Sequence, residues 1–169
     1  PEAAACSITF GSPSKTFNIA GIVSSYAIVP DKELRERFFS WLEASELNAA
    51  PLFSPIATIA AFKHGEEWRK QMLEYVEGNI EFIEEYCRKY MPQIRPVRPQ
   101  ASFLVWLDCN GLDMLHDELI DLFVNKAGLA LNDGEMFNPG GEGFMRLNAG
   151  TSRDVLRKAM DNLKEAIYK

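Results

Sequence analysis

The chain has 169 residues, with 18 basic and 24 acidic side chains and a formal net charge of −6. Hydrophobic residues make up 47% and charged residues 25%, the balance of a globular protein long enough to bury a sizeable core as one domain or two small pieces. The acidic surplus argues against nucleic acid or an anionic membrane as partner, and no apolar run approaches the roughly 18 residues that span a bilayer.

The opening 30 residues are poor in charge and rich in Ala, Gly and Ser. They begin with Pro1 rather than Met, so a chain cut from something longer is expected, and no signal-peptide pattern is visible. Two apolar runs, Ser7–Phe10 and Ile22–Val29, read as strands around a small polar loop. Their unbroken apolar character suits strands buried on both faces of a parallel or mixed sheet. Asp31 reads as the N-cap of a helix with Leu34, Phe38, Trp41 and Leu42 on one face. Pro51 and Pro55 interrupt the pattern, and Ser54–Phe62 resumes it. A long helix is expected from about Glu66 to Met91, with Trp68, Met72, Val76, Asn79, Ile83, Cys87 and Tyr90 at three- or four-residue steps. Pro92, Pro96 and Pro99 stop it.

Ser102–Asp108 then reads as a strand, and Leu112–Lys126 as a helix that Gly128 ends. Asn132–Gly143 is a glycine-rich loop, and Phe144–Asn148 is a strand. Thr151-x-x-Asp154 resembles a capping box opening a last helix with Val155, Leu156, Ala159, Leu163 and Ile167. This order places the chain in the α/β or α+β class.

Few residues carry recognisable chemistry. Lys15, in Gly11-Ser12-Pro13-Ser14-Lys15-Thr16, falls between two expected buried strands, where an ammonium is costly. A desolvated lysine has a lowered pKa and can form a Schiff base with a carbonyl cofactor, and the Ser12 and Ser14 hydroxyls could serve a phosphate. The bland reading is a lysine in an exposed loop. A nucleotide-binding P-loop fits poorly, because Ser14 and Thr9 stand where glycines are needed and the segment after Lys15 reads as a strand. Arg146 alternates with apolar residues beside the glycine loop and could clamp a carboxylate, or else face solvent on an edge strand. His64 and His116 read as surface helix positions without a nucleophile or metal-ligand cluster, so no metal is expected. Cys6, Cys87 and Cys109 lack CxxC spacing, suit a reducing cytosol and read as small buried apolar residues.

Together, residues 12–21 (SPSKTFNIAG) and 141–148 (GEGFMRLN) resemble the lysine and C-terminal arginine segments of class I/II aminotransferase-like, fold-type I pyridoxal-phosphate (PLP) enzymes. The SKTFN-I-AG wording is particularly similar to the MalY/PatB-type cystathionine β-lyases. The resemblance runs through essentially the whole chain. It implies the C-terminal part of such an enzyme, a small mixed sheet covered by helices plus a remnant of the large domain. The tail of the large PLP-binding domain would occupy residues 1–65 and the small domain residues 66–169.

By that resemblance Lys15 is the Schiff-base lysine and proton-transfer base, Ser12 and Ser14 contact the cofactor phosphate, and Arg146 holds the substrate α-carboxylate. Many relatives bind the phosphate with an arginine shortly after the lysine, but Ile22-Val23-Ser24 offers none. The resemblance further implies a cytoplasmic homodimer acting on a small amino acid, by C–S lysis or by transamination. A non-catalytic C-terminal domain is the remaining alternative.

Overall fold

A computed structural model describes residues 2–137 and 139–169. Pro1, and Asn138 within the expected glycine-rich loop, lie outside the described residues. The chain forms two compact units, one ending at Gln71 and the other spanning Met72–Lys169.

The first unit holds α1 (Glu2–Ala5), β1 (Thr9–Gly11), α2 (Pro13–Thr16), a 3₁₀ turn at Ala20–Ile22, β2 (Tyr26–Ile28), α3 (Lys32–Ala44) and α4 (Ser54–His64). β1 and β2 pair antiparallel, with Thr9 opposite Ile28 and Gly11 opposite Tyr26. Two expectations fail here. The strands are shorter than their apolar runs, and they are not buried on both faces: Phe10 and Ile28 are 64% and 55% exposed. Each strand pairs only with the other among the described residues, while Phe10 meets Phe38 of α3 and Tyr26 meets Phe62 of α4 edge-on. α3 starts as expected, because the Asp31 carboxylate accepts the Leu34 N–H at 2.8 Å. Behind the ribbon, Phe17 packs edge-on against Phe62 of α4 with ring centres 5.3 Å apart.

α5 (Glu66–Tyr90) begins in the first unit and continues through the second. Its apolar stripe is buried at Val76, Ile80, Ile83 and Cys87, whereas Trp68 and Tyr90 at its ends are exposed. The second unit adds β3 (Arg95–Val97), β4 (Leu104–Asp108), α6 (His116–Asp121), β5 (Asn132–Asp133), β6 (Phe144–Asn148) and α7 (Arg153–Tyr168). The four strands form an antiparallel sheet in the order β3-β4-β6-β5. The sheets are therefore antiparallel rather than mixed, and the class is α+β.

Alternation divides the sheet's two faces. Val105, Leu107, Met145 and Leu147 are buried in one core with Ile83 and Cys87 of α5, Leu119 of α6 and Leu156, Met160 and Leu163 of α7. The intervening residues Trp106, Phe144 and Arg146 are half-buried.

Other expectations need correction. The helix expected over 112–126 is broken: a 3₁₀ turn at Asn110–Leu112 precedes α6, and Leu122–Lys126 widens into a π-turn. The last helix is capped by Ser152, whose hydroxyl accepts the Val155 N–H, and not by Thr151. Cys6 is exposed, while Cys87 and Cys109 are buried. No helix among the described residues is long and apolar enough to cross a membrane.

Candidate active site

Lys15 sits on α2, a single turn that sequence reading took for loop running into strand. The signal was present: Ser12 is an N-cap followed by Pro13 at the first helical position. The Ser12 hydroxyl accepts the Ser14 N–H at 3.2 Å and donates to the Ser24 carbonyl at 2.7 Å. A hydroxyl has one proton, so Ser14 must be the donor in the 2.8 Å contact between the Ser12 and Ser14 oxygens. Thr58 on α4 donates to the Ser24 hydroxyl at 2.8 Å, extending this chain of hydroxyls. Lys15 is exposed, against the expectation of a lysine desolvated between buried strands.

Arg146 projects from β6 in the second unit. Across the sheet it lies opposite Trp106 of β4 and Asn132 of β5. Its Nη2 donates to the Asn132 side-chain oxygen at 2.9 Å. Its guanidinium carbon lies 4.2 Å from the centre of the Phe137 ring, which Trp106 meets edge-on at 5.5 Å. The Arg146 Nε is buried and has no hydrogen-bond partner among the described residues. A buried charged N–H without an acceptor is rare in a folded protein. The guanidinium is planar and matches a carboxylate bidentately. Arg146 is thus a half-buried, stacked cation rather than an edge-strand arginine facing solvent.

The glycine-rich stretch that presents Phe137 is pinned at its ends. A Cβ on Gly134 would meet the Gly141 carbonyl oxygen at 2.2 Å, so the two backbones touch and admit no side chain. Gly143 has a φ of +76° and accepts the Cys109 N–H at 2.9 Å.

His116 also reaches this stretch, which sequence reading missed. It is 17% exposed at the side chain, not a surface position, and its Nε2 lies 3.0 Å from Asp133 and 3.7 Å from Glu135. Asp133 lies 17 residues away in sequence, so no local spacing announces the pair. His64, at the end of α4, is exposed as expected.

No protein-family model matches the chain. It is 36% identical over 161 residues to the cystathionine beta-lyase PatB of Bacillus subtilis, covering 95% of this chain and 42% of that protein. It is 29% identical over 157 residues to protein MalY of Escherichia coli, covering 92% of this chain and 40% of that protein. Among solved structures, cystalysin from Treponema denticola, which contains a pyridoxal 5'-phosphate cofactor, superposes with a TM-score of 0.94 at 27% identity, covering 99% of this chain and 42% of that one. The chain spans about two fifths of the length of these relatives. It is a homologue of the PatB/MalY cystathionine β-lyases and of PLP-dependent aminotransferases, and its fold is that of the C-terminal portion of the fold-type I enzymes.

Proposed function

We propose that this chain is part of a PLP-dependent C–S lyase of the cystathionine β-lyase type, which splits sulfur amino acids into pyruvate, ammonia and a thiol. The observation that carries the reading is Arg146, stacked on Phe137 with a buried, unpartnered Nε, in the segment that resembles the substrate-arginine segment of these enzymes. In this reading residues 1–65 are the tail of the large domain and residues 66–169 the small domain. The full-length protein is a cytoplasmic homodimer.

The residues of the first unit fit the cofactor. Lys15 is exposed on a short helix beside the paired Ser12 and Ser14 hydroxyls. Ser12 is committed to the Ser24 carbonyl, but the Ser14 hydroxyl needs only to rotate away from Ser12 to donate to a phosphate. When bound, PLP supplies an electron sink for the charge left at the substrate Cα.

The protein's own groups divide the remaining work. Arg146 fixes the α-carboxylate, which sets the direction of the Cα–H bond. The Lys15 amine takes that proton as general base. A thiolate on Cβ then leaves. Lys15 and Arg146 would serve an aminotransferase equally well, and the lyase is favoured by the SKTFN wording and the PatB similarity.

The test is borohydride reduction of the full-length protein followed by peptide mass spectrometry. A pyridoxyl adduct on Lys15 is expected. A cofactor-supplied, folded protein without that adduct sinks the lysine assignment. Pyruvate released from cystathionine without an added 2-oxo acid separates lyase from aminotransferase.

A further inference from the structure

We infer that His116 is a positioning residue for the Arg146 carboxylate site: its imidazole ties together the two ends of residues 134–142 and so holds Phe137 and Asn132 against the guanidinium. This rests on the reading of Arg146 given above.

The hydrogen bonds define the imidazole's state. The Gly143 N–H points at Nδ1 from 3.3 Å, and a backbone amide can only donate. Nδ1 is therefore the acceptor, and Nε2 carries the proton it gives to the Asp133 carboxylate at 3.0 Å. That carboxylate oxygen also accepts the Glu135 N–H at 2.9 Å. One ring thus joins the residue before Gly134 to the residue that leads into β6.

Both attachments adjoin the arginine's surroundings. Asp133 follows Asn132, which holds Nη2, and it lies opposite Met145 in the β5–β6 register. Gly143 lies three residues before Arg146, and Phe137 falls between the two attachment points. His116 stands on a firm base, because Leu119 one turn on is 2% exposed in the core.

Three ligand-type atoms of His116, Asp133 and Glu135 converge within 4.8 Å, but the cluster does not read as a metal centre. A metal on Nε2 would move the ring proton to Nδ1, where it would confront the Gly143 N–H.

The experiment uses the cofactor-loaded full-length protein. Binding of L-alanine, which keeps the α-carboxylate but has no β-leaving group, is measured by calorimetry, and KM and kcat with L-cystathionine are measured beside it. His116→Ala should weaken L-alanine binding and raise KM about tenfold, with kcat within about twofold. In an Arg146→Ala background the same change should add nothing, since His116 acts through Arg146. Asp133→Asn keeps an acceptor for Nε2 and should stay near native. If His116→Ala fails to fold, Asp133→Ala tests the same tie from the other side. Unchanged binding in a folded tie-breaking variant overturns the inference, and so does a tenfold loss added on top of Arg146→Ala. If Arg146→Ala itself leaves L-alanine binding unchanged, the carboxylate reading has failed and the inference with it.

Discussion

Asn132 and Arg146 face each other across β5 and β6, and the Asn132 oxygen accepts a hydrogen bond from Nη2 at 2.9 Å. A neutral amide orients the guanidinium without cancelling its charge. Asn132→Asp would cancel it, because a carboxylate there forms the charge-assisted pair that the substrate needs. Asn132 is exposed, so the substitution leaves the fold intact. L-alanine binding to the loaded full-length protein should weaken roughly 10- to 100-fold, the range of one charged hydrogen bond. Native affinity in Asn132→Asp would place the carboxylate elsewhere.

Gly141 and Gly21 make a contrasting pair. A Cβ at Gly141 would sit 2.1 Å from the Gly134 carbonyl oxygen, so backbone must move. At Gly21 nothing lies within 4 Å of the added Cβ. Gly141→Ala should cost about 2–3 kcal/mol and loosen the Phe137–Arg146 stack. Gly21→Ala should be neutral or stabilise by up to about 1 kcal/mol, since it narrows the unfolded ensemble. Chemical denaturation of the two variants checks the order, and equal midpoints would contradict the close approach.

Val23 has a φ of +52°, a left-handed conformation that a β-branched residue rarely adopts. It is 69% exposed, so its side chain gains little from packing. Val23→Asn should raise stability by about 0.5–1 kcal/mol, because Asn tolerates this conformation. A lowered thermal midpoint would mean that the Val23 methyl groups are covered in the full-length protein.

What was legible in the sequence follows from the range of the forces involved. α5 could be read because its apolar spacing is local and Pro92 supplies the stop. The α3 start could be read because its cap lies three residues from the amide it satisfies. Short elements made by remote partners could not. β3 includes Pro96, which reads as a breaker, and β5 is two residues inside a glycine-rich stretch. Both exist because a neighbouring strand supplies their ladder. Lys15 and Arg146 could be singled out because their flanking motifs are contiguous. Their environments could not: the exposure of Lys15 is not written in its flanking residues, and the His116–Asp133–Gly143 tie joins residues 17 and 27 positions apart.

The cysteines give a prediction with a definite sign in pH. Burial pushes the Cys87 thiol from its ordinary 9.0 up to about 12. Burial does the same for Cys109, with the Asp108 carboxylate adding to it, again to about 12. Only the thiolate is nucleophilic, so at pH 8 both should resist iodoacetamide while the exposed Cys6 is alkylated. Peptide mapping reads the three sites separately, and unfolding in guanidinium should expose all of them. Because the folded state holds these two protons more tightly, their contribution to stability is complete below pH 9. It is lost as pH rises toward 12, where the unfolded thiols are ionised and the buried ones are not. The unfolding midpoint should therefore fall across that window, and Cys87→Ala/Cys109→Ala should flatten the decline even as it lowers the starting stability. Alkylation of Cys109 in the native protein at the rate of Cys6 would show that β4 opens at its end near Gly143 and would overturn the buried, protonated state given to this thiol.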